Sequence, residues 1–206
     1  MTDASPPQPQ ATTPEAALAL LVEGNARYVA NTPHERDFSA GRHSRTLGQA
    51  PFAAILSCAD SRVAPELAFD QGPGQLFVVR LAGNFVTTEV LASLEFGVGI
   101  LGTRLIVVLG HTNCGAVQAT VSSLRDGTEH PGHLASLVDA MTPGIDPVLG
   151  QPGDVEANAV RANVEHSVER LRNAPPVLAD LVSRGELGVI GGIYDLATGR
   201  VELGRT

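Results

Sequence analysis

The sequence predicts an α/β domain built on a mostly parallel sheet. Short apolar runs, partly β-branched, alternate with segments of helical periodicity along most of the chain, which is the pattern of strand–helix–strand units. Two of these runs, Phe52 to Leu56 and Leu105 to Leu109, lead straight into residues with metal-binding side chains. In parallel α/β sheets, ligands and metals gather at the carboxyl ends of strands. The 206 residues are 43% hydrophobic but only 4% aromatic, with no Trp, which suits one aliphatic core.

Residues 1–13 are polar and Pro-rich without periodicity, so a disordered tail is expected there. Thr13-Pro14-Glu15 opens a helix, with Thr as N-cap and Pro in the first turn. It runs to about Ala30, with Leu18, Leu21, Val22, Tyr28 and Val29 on its apolar side, and Asn31-Thr32-Pro33 stops it. Residues 34–50 read as a polar loop with a short helical turn. Phe52 to Ser57 is the first strand, Pro65 to Ala68 a short helix, and Gln71-Gly72-Pro73-Gly74 a turn. Gln75 to Arg80 is the second strand. A helix follows from Thr87 to about Ile100, carrying Val90, Leu91, Leu94 and Val98 on one side. Arg104 to Gly110 is the third strand, and Cys114 to Leu124 the helix after it. The Gly- and Pro-rich stretch 126–153 holds a short helix at 134–141. Helices at 156–172 and 175–183, a Gly-rich strand at 187–194 and a last short strand at 200–203 complete the chain. With no internal repeat and no second core, residues 14–206 form a single domain.

The charge balance, 14 basic against 22 acidic residues for a net −8, lacks the basic footprint of a nucleic-acid binder. No apolar run approaches the ~20 residues that span a membrane, and the start has no charged-then-apolar leader pattern. A cytoplasmic protein is expected. Its two cysteines would then be thiols rather than a disulfide.

Both cysteines fall in chemically loaded segments, Ser57-Cys58-Ala59-Asp60-Ser61-Arg62 and His111-Thr112-Asn113-Cys114-Gly115. Each segment directly follows a buried-strand pattern, so two strand ends would bring Cys58, His111 and Cys114 together. Two thiolates and an imidazole form a zinc donor set. His111 and Cys114, three residues apart, chelate one ion across a strand-to-helix turn. Any one of the three alone reads equally as a buried core residue.

These two motifs at this separation resemble the β-class carbonic anhydrases. The resemblance extends through Phe69-Asp70-Gln71-Gly72, Phe77-Val78-Val79-Arg80 and Gly192-Ile193-Tyr194-Asp195, and covers roughly residues 15–200. It implies one Zn²⁺ per subunit on Cys58, His111 and Cys114, and reversible hydration of CO2 to bicarbonate and a proton. It also implies a dyad in which Arg62 holds Asp60, and Asp60 orients the zinc-bound hydroxide. In the family's inactive arrangement the Asp closes on zinc as a fourth ligand, so Asp60 is also a conditional metal ligand. Gln49, nine residues before Cys58, matches a donor to substrate oxygen. Phe77 and Phe96 match walls of the CO2 pocket, Phe96 standing where the plant-type pocket has Tyr. Arg80 and Tyr194 match two parts of a regulatory bicarbonate site whose third part, a Trp, is Ile55 here. Weak bicarbonate inhibition follows. Read without the family, Gln49 is a solvated loop residue and both Phe are core.

The resemblance further implies a four-stranded parallel sheet plus an edge strand, with helices on both faces. The first helix would pack on a dimer partner, Phe77 or Phe96 would be supplied in trans, and the assembly would be a homodimer or homotetramer. Three other readings compete: hydrolysis of CS2 or COS on the same fold, a non-catalytic zinc module stabilising an assembly, and a thiol-redox protein. The last lacks a Cys-x-x-Cys motif, and the second is disfavoured by the presence of Asp60 and Arg62. His34, His43, His130, His133 and His166 are proton-shuttle candidates on pKa grounds alone. His130-Pro131-Gly132-His133 reads as a solvated loop rather than a second metal site, and Glu165, Glu169 and Arg170 as an exposed helix face.

Overall fold

A computed structural model describes residues 8–204. Its sheet has strands in the order β2-β1-β3-β4-β5, where β1 is Ala53–Ser57, β2 Leu76–Arg80, β3 Leu105–His111, β4 Gly188–Tyr194 and β5 Val201–Leu203. The first four are parallel, and β5 runs antiparallel on the β4 edge. This is the expected four-stranded parallel sheet with an edge strand.

Eight α-helices connect and cover it among the described residues: α1 Pro14–Val29, α2 Arg42–Arg45, α3 Pro65–Ala68, α4 Thr88–Gly99, α5 Gly115–Asp126, α6 Leu134–Ile145, α7 Val155–Arg172 and α8 Val177–Ser183. Caps explain several starts. Thr13 accepts from the Ala16 amide at 3.2 Å, Thr87 from Val90 at 3.2 Å, and Asp154 from Glu156 at 2.9 Å. α6 runs four residues past its expected end at 141, through Pro143. Packing overrides the proline there: Met141 and Ile145 are fully buried, and Gly144 lies so close to His166 of α7 that a Cβ would sit 2.8 Å from it.

Strand alternation divides the core. Ala53, Ile55, Leu105, Val107, Leu109 and Ile190 face Ala17 and Leu21 of α1. Ala54, Leu56, Ile106, Val108 and Val189 face Val90 and Leu94 of α4, Val164 of α7 and Leu178 of α8. Each fully buried Leu or Ile contributes roughly 2 kcal/mol. A third apolar cluster, with Phe85, Val117, Met141 and Val160, surrounds Cys58 and Cys114. Of the expected tail, residues 1–7 lie outside the described residues, and Ala11 is buried in the α1-side core.

One side of α1 lies on its own sheet. Ala17 and Leu21 are buried against Phe52 and Phe69. Asn25 donates to the Ala68 and Gly199 carbonyls at 2.8 and 2.9 Å, and accepts from the Val201 amide at 2.9 Å. Gly24 is required at this contact, because a Cβ would lie 1.8 Å from the Phe69 carbonyl oxygen. The helix finds in its own chain an apolar floor and partners for its buried amide, while Val22 and Tyr28 on it stay exposed.

An ion cluster fastens α1 and the following loop. Asp70, with a side chain 1% exposed, takes Arg27 Nε at 2.5 Å, the His34 amide at 3.2 Å and the Arg36 guanidinium. Burial pushes its carboxyl up, but Arg36 and Arg27 outweigh that and hold it at about 2. The folded value lies below the unfolded ~3.9, so the cluster's stabilisation is present above about pH 4 and is lost as pH falls toward 2. D70N leaves two guanidinium groups facing a neutral amide and costs about 3 kcal/mol at pH 7. In thermal unfolding, the gap between D70N and the parent narrows as the pH is lowered through 3.

Candidate metal centre

β1 and β3 are adjacent and parallel, with Ser57 in register with Leu109. Their carboxyl ends therefore deliver Cys58 and His111 side by side, and the turn into α5 delivers Cys114. The donor atoms of these three buried residues all lie within 4.8 Å of one another, the only such group of three or more His, Cys, Asp or Glu among the described residues. The sulfurs are 4.0 Å apart, and neither forms a disulfide.

Local bonds aim the donors. His111 Nδ1 donates to the Thr112 carbonyl at 2.9 Å, which leaves Nε2 as the lone-pair nitrogen. That Nε2 is buried and has no hydrogen-bond partner among the described residues. The Thr112 peptide is itself held, its amide donating to Tyr194 at 3.0 Å and its hydroxyl accepting from Leu196 at 3.1 Å. Cys58 Sγ accepts from the amides of Asp60 and Gly83, each at 3.4 Å. Its thiol is lowered first by the neighbouring Cys114 sulfhydryl, with burial opposing and His111 and the two amides adding to the fall. Cys114 is correspondingly raised, by Cys58 and by burial. A buried, partnerless imidazole nitrogen facing two close sulfurs fits Zn²⁺: the set is soft, and three protein ligands leave a fourth position for a small molecule.

Asp60 stands beside the cluster without joining it. Arg62 grips it bidentately, Nε to Oδ1 at 2.9 Å and Nη2 to Oδ2 at 2.6 Å, and the Arg62 amide adds a third bond at 2.9 Å. These bonds, led by the guanidinium, hold the Asp60 carboxyl far below the usual carboxylate range. Its Oδ2 is 3.9 Å from His111 Nε2. Arg80 clamps the same loop from beneath, donating to the carbonyls of Cys58, Asp60 and Val63 at 3.0, 2.8 and 2.8 Å. Tyr194, 5% exposed, shares a hydrogen bond with the Tyr28 hydroxyl at 3.2 Å. Ile55 is fully buried.

The residues expected to wall the substrate pocket do not reach this centre within one chain. Gln49 precedes β1 whereas Cys58 follows it, so the strand separates them. Phe77 is in register with Ala54, near the start of β1, and its ring lies 6.2 Å from that of Phe96 on α4. Among the histidines, His130 donates to the Ala119 carbonyl at 3.0 Å, and His133 is exposed. Three contributors went unread in the sequence: Phe85 in the apolar wall, Gly83 as a donor to sulfur, and Asn163 behind it. A glycine just past a strand at a ligand-bearing sheet edge was the available signal for Gly83; Phe85 and Asn163 had none.

Comparison with known proteins matches this geometry. A family model described as carbonic anhydrase matches residues 53–201. A carbonic anhydrase of Mycolicibacterium smegmatis is 41% identical over 193 residues, covering 92% of this chain and 93% of its own length. Carbonic anhydrase 2 of Mycobacterium tuberculosis is 38% identical over 195 residues, covering 93% of each. The solved β-carbonic anhydrase of Coccomyxa, in complex with acetazolamide, superposes with a TM-score of 0.70 at 29% identity, covering 90% of this chain and 85% of that one. No described helix is long and apolar enough to cross a membrane. The parallel sheet, the Cys-His-Cys cluster at its carboxyl edge and these likenesses together establish that the chain belongs to the β-carbonic anhydrases, the zinc-dependent enzymes of CO2 hydration.

Proposed function

We propose that Cys58, His111 and Cys114 hold one Zn²⁺, and that Asp60, fixed by Arg62, orients the attacking group for reversible CO2 hydration in the cytoplasm. The observation that carries this reading is the bidentate Asp60–Arg62 pair, whose Oδ2 is 3.9 Å from the unpartnered His111 Nε2. When bound, zinc supplies Lewis acidity, lowering the pKa of a coordinated water to about 7.

The chain's own residues do the rest. Asp60, ionised across the working pH range because Arg62 stabilises its charge, is an acceptor only. A donor hydroxyl bound to it has its lone pairs turned away from the carboxylate, toward the incoming carbon. The two-pronged grip keeps Asp60 off the metal, the task for which a planar guanidinium suits better than an ammonium. Phe85, Val117 and Met141 keep the sulfur side of the centre dry.

Gln49, Phe77 and Phe96 complete the pocket of a partner subunit rather than their own. Phe96 is 46% exposed and Ile100 71% exposed on the same helix end, an apolar surface consistent with pairing in a homodimer, alone or within a homotetramer. Bicarbonate regulation through Arg80 and Tyr194 is weak. Arg80 already serves three carbonyls, Tyr194 is engaged by Tyr28, and Ile55 offers no ring nitrogen.

Stopped-flow CO2 hydration by the zinc-loaded protein at neutral and mildly alkaline pH tests this reading. Fast hydration at both is expected. Activity confined to alkaline pH would show that Asp60 closes on the metal, and inactivity at both would turn attention to CS2 or COS or to a non-catalytic zinc role.

A further inference from the structure

Asn163 lies on α7 with no place in the chemistry described so far. It is 1% exposed, and its Nδ2 donates to the Gly83 carbonyl at 2.7 Å, across 80 residues of sequence. Gly83 in turn donates its amide to Cys58 Sγ at 3.4 Å. The stretch Leu81–Asn84 is a tight turn closed by the Asn84 amide on the Leu81 carbonyl at 3.1 Å.

The turn needs a glycine at this point. Gly83 has φ +87°, and a Cβ would sit 2.5 Å from the sulfur of fully buried Met141. Glycine meets both demands, yet it is also the residue whose flanking peptides rotate most freely. The peptide that donates to Cys58 is joined to the next one only through this loose pivot. A hydrogen bond from a side chain on a packed helix, made to the carbonyl just beyond the pivot, removes that freedom. The surroundings are apolar, so a thiolate here depends on its few amide donors for stabilisation.

We infer that Asn163 is a positioning residue for the metal centre: by clamping the Gly83 carbonyl it aims the Gly83 amide at Cys58 Sγ and holds that sulfur in place for the metal. The inference rests on the zinc reading above. Gly83 is one layer behind the metal ligand, where losing a partner typically changes metal affinity about 10–100-fold; Asn163 stands one layer further back and acts through it, so its loss is expected at the lower end of that range.

The test compares the full-length parent with Asn163→Asp, which keeps the shape but loses the donor, and Asn163→Leu, which replaces the amide by an apolar group of similar size. Leu also removes the buried Oδ1 that has no partner among the described residues and buries no charge, so it is the less disruptive of the two. Val164→Ala, the next residue on α7 and packed on the sheet at Gly110 and Gly191, controls for general loosening. Two quantities are read: Zn²⁺ affinity against a chelating dye, and the thiolate-to-metal absorption of the Co²⁺-loaded protein.

Both Asn163 variants are expected to bind Zn²⁺ about 10-fold more weakly with a shifted Co²⁺ spectrum. Val164→Ala is expected to melt earlier with both readings unchanged. Parental affinity and spectrum in the Asn163 variants would overturn the inference, as would equal metal loss in Val164→Ala. If the parent itself takes up neither metal, the zinc reading falls instead.

Discussion

Cys114→Ser is expected to bind no stoichiometric zinc and to lose CO2 hydration by about 10³-fold or more. Serine has nearly the size of cysteine, so the apolar wall around it is kept. What disappears is a soft anionic donor 4.0 Å from its partner sulfur. A neutral hydroxyl is a poor zinc ligand, and the remaining Cys58 and His111 leave two positions for solvent rather than one. Metal analysis after dialysis gives one zinc per parent chain and little in the variant. Thermal unfolding gives a second reading. Added Zn²⁺ raises the parent's melting temperature because only the folded chain gathers all three ligands, and that rise is absent in Cys114→Ser. In the metal-free chain the two sulfurs compete for a proton, Cys58 lowered and Cys114 raised. Zinc uptake must therefore expel the proton retained by Cys114, and affinity falls as the pH is lowered.

Asp60→Asn separates positioning from metal binding. The variant is expected to keep its zinc, since Asp60 is outside the three-residue cluster, while turnover drops about 10²–10⁴-fold. The amide can present its N–H to the attacking group and so favour the wrong orientation, and Arg62 loses the charge it grips at 2.6 Å. Arg62→Lys should fall between the parent and Asp60→Asn. An ammonium retains the charge but cannot span both carboxylate oxygens as the guanidinium does here. Stopped-flow rates paired with metal content decide the matter. Loss of zinc in Asp60→Asn would assign Asp60 to metal retention and overturn its orienting role.

Much of this protein was legible before any coordinates. Runs such as Ala53–Ser57 and Leu105–His111 carry strand identity in their own composition, because burial on both faces of a parallel sheet demands unbroken apolar sequence. Cys58, His111 and Cys114 could be grouped for the same reason: adjacent parallel strands place their next residues at one edge, so order along the chain converts directly into proximity. The Asp60–Arg62 pair is equally local, two residues apart on one loop.

Long-range geometry decided the rest. Gln49, Phe77 and Phe96 carry suitable chemistry, but strand direction and register set them toward the opposite end of the sheet from Cys58. The apolar stripe of α1 says that it must be covered, not by what; its fit on Phe52 and Phe69 and the three bonds of Asn25 come from segments far along the chain. Asn163 meets Gly83 across 80 positions, and nothing near either residue announces the other. Periodicity and turn chemistry act over a few residues and are written in the sequence. A contact between distant segments depends on how helices and sheet pack as solid bodies, and that is set by the summed shape of many side chains rather than by any short stretch.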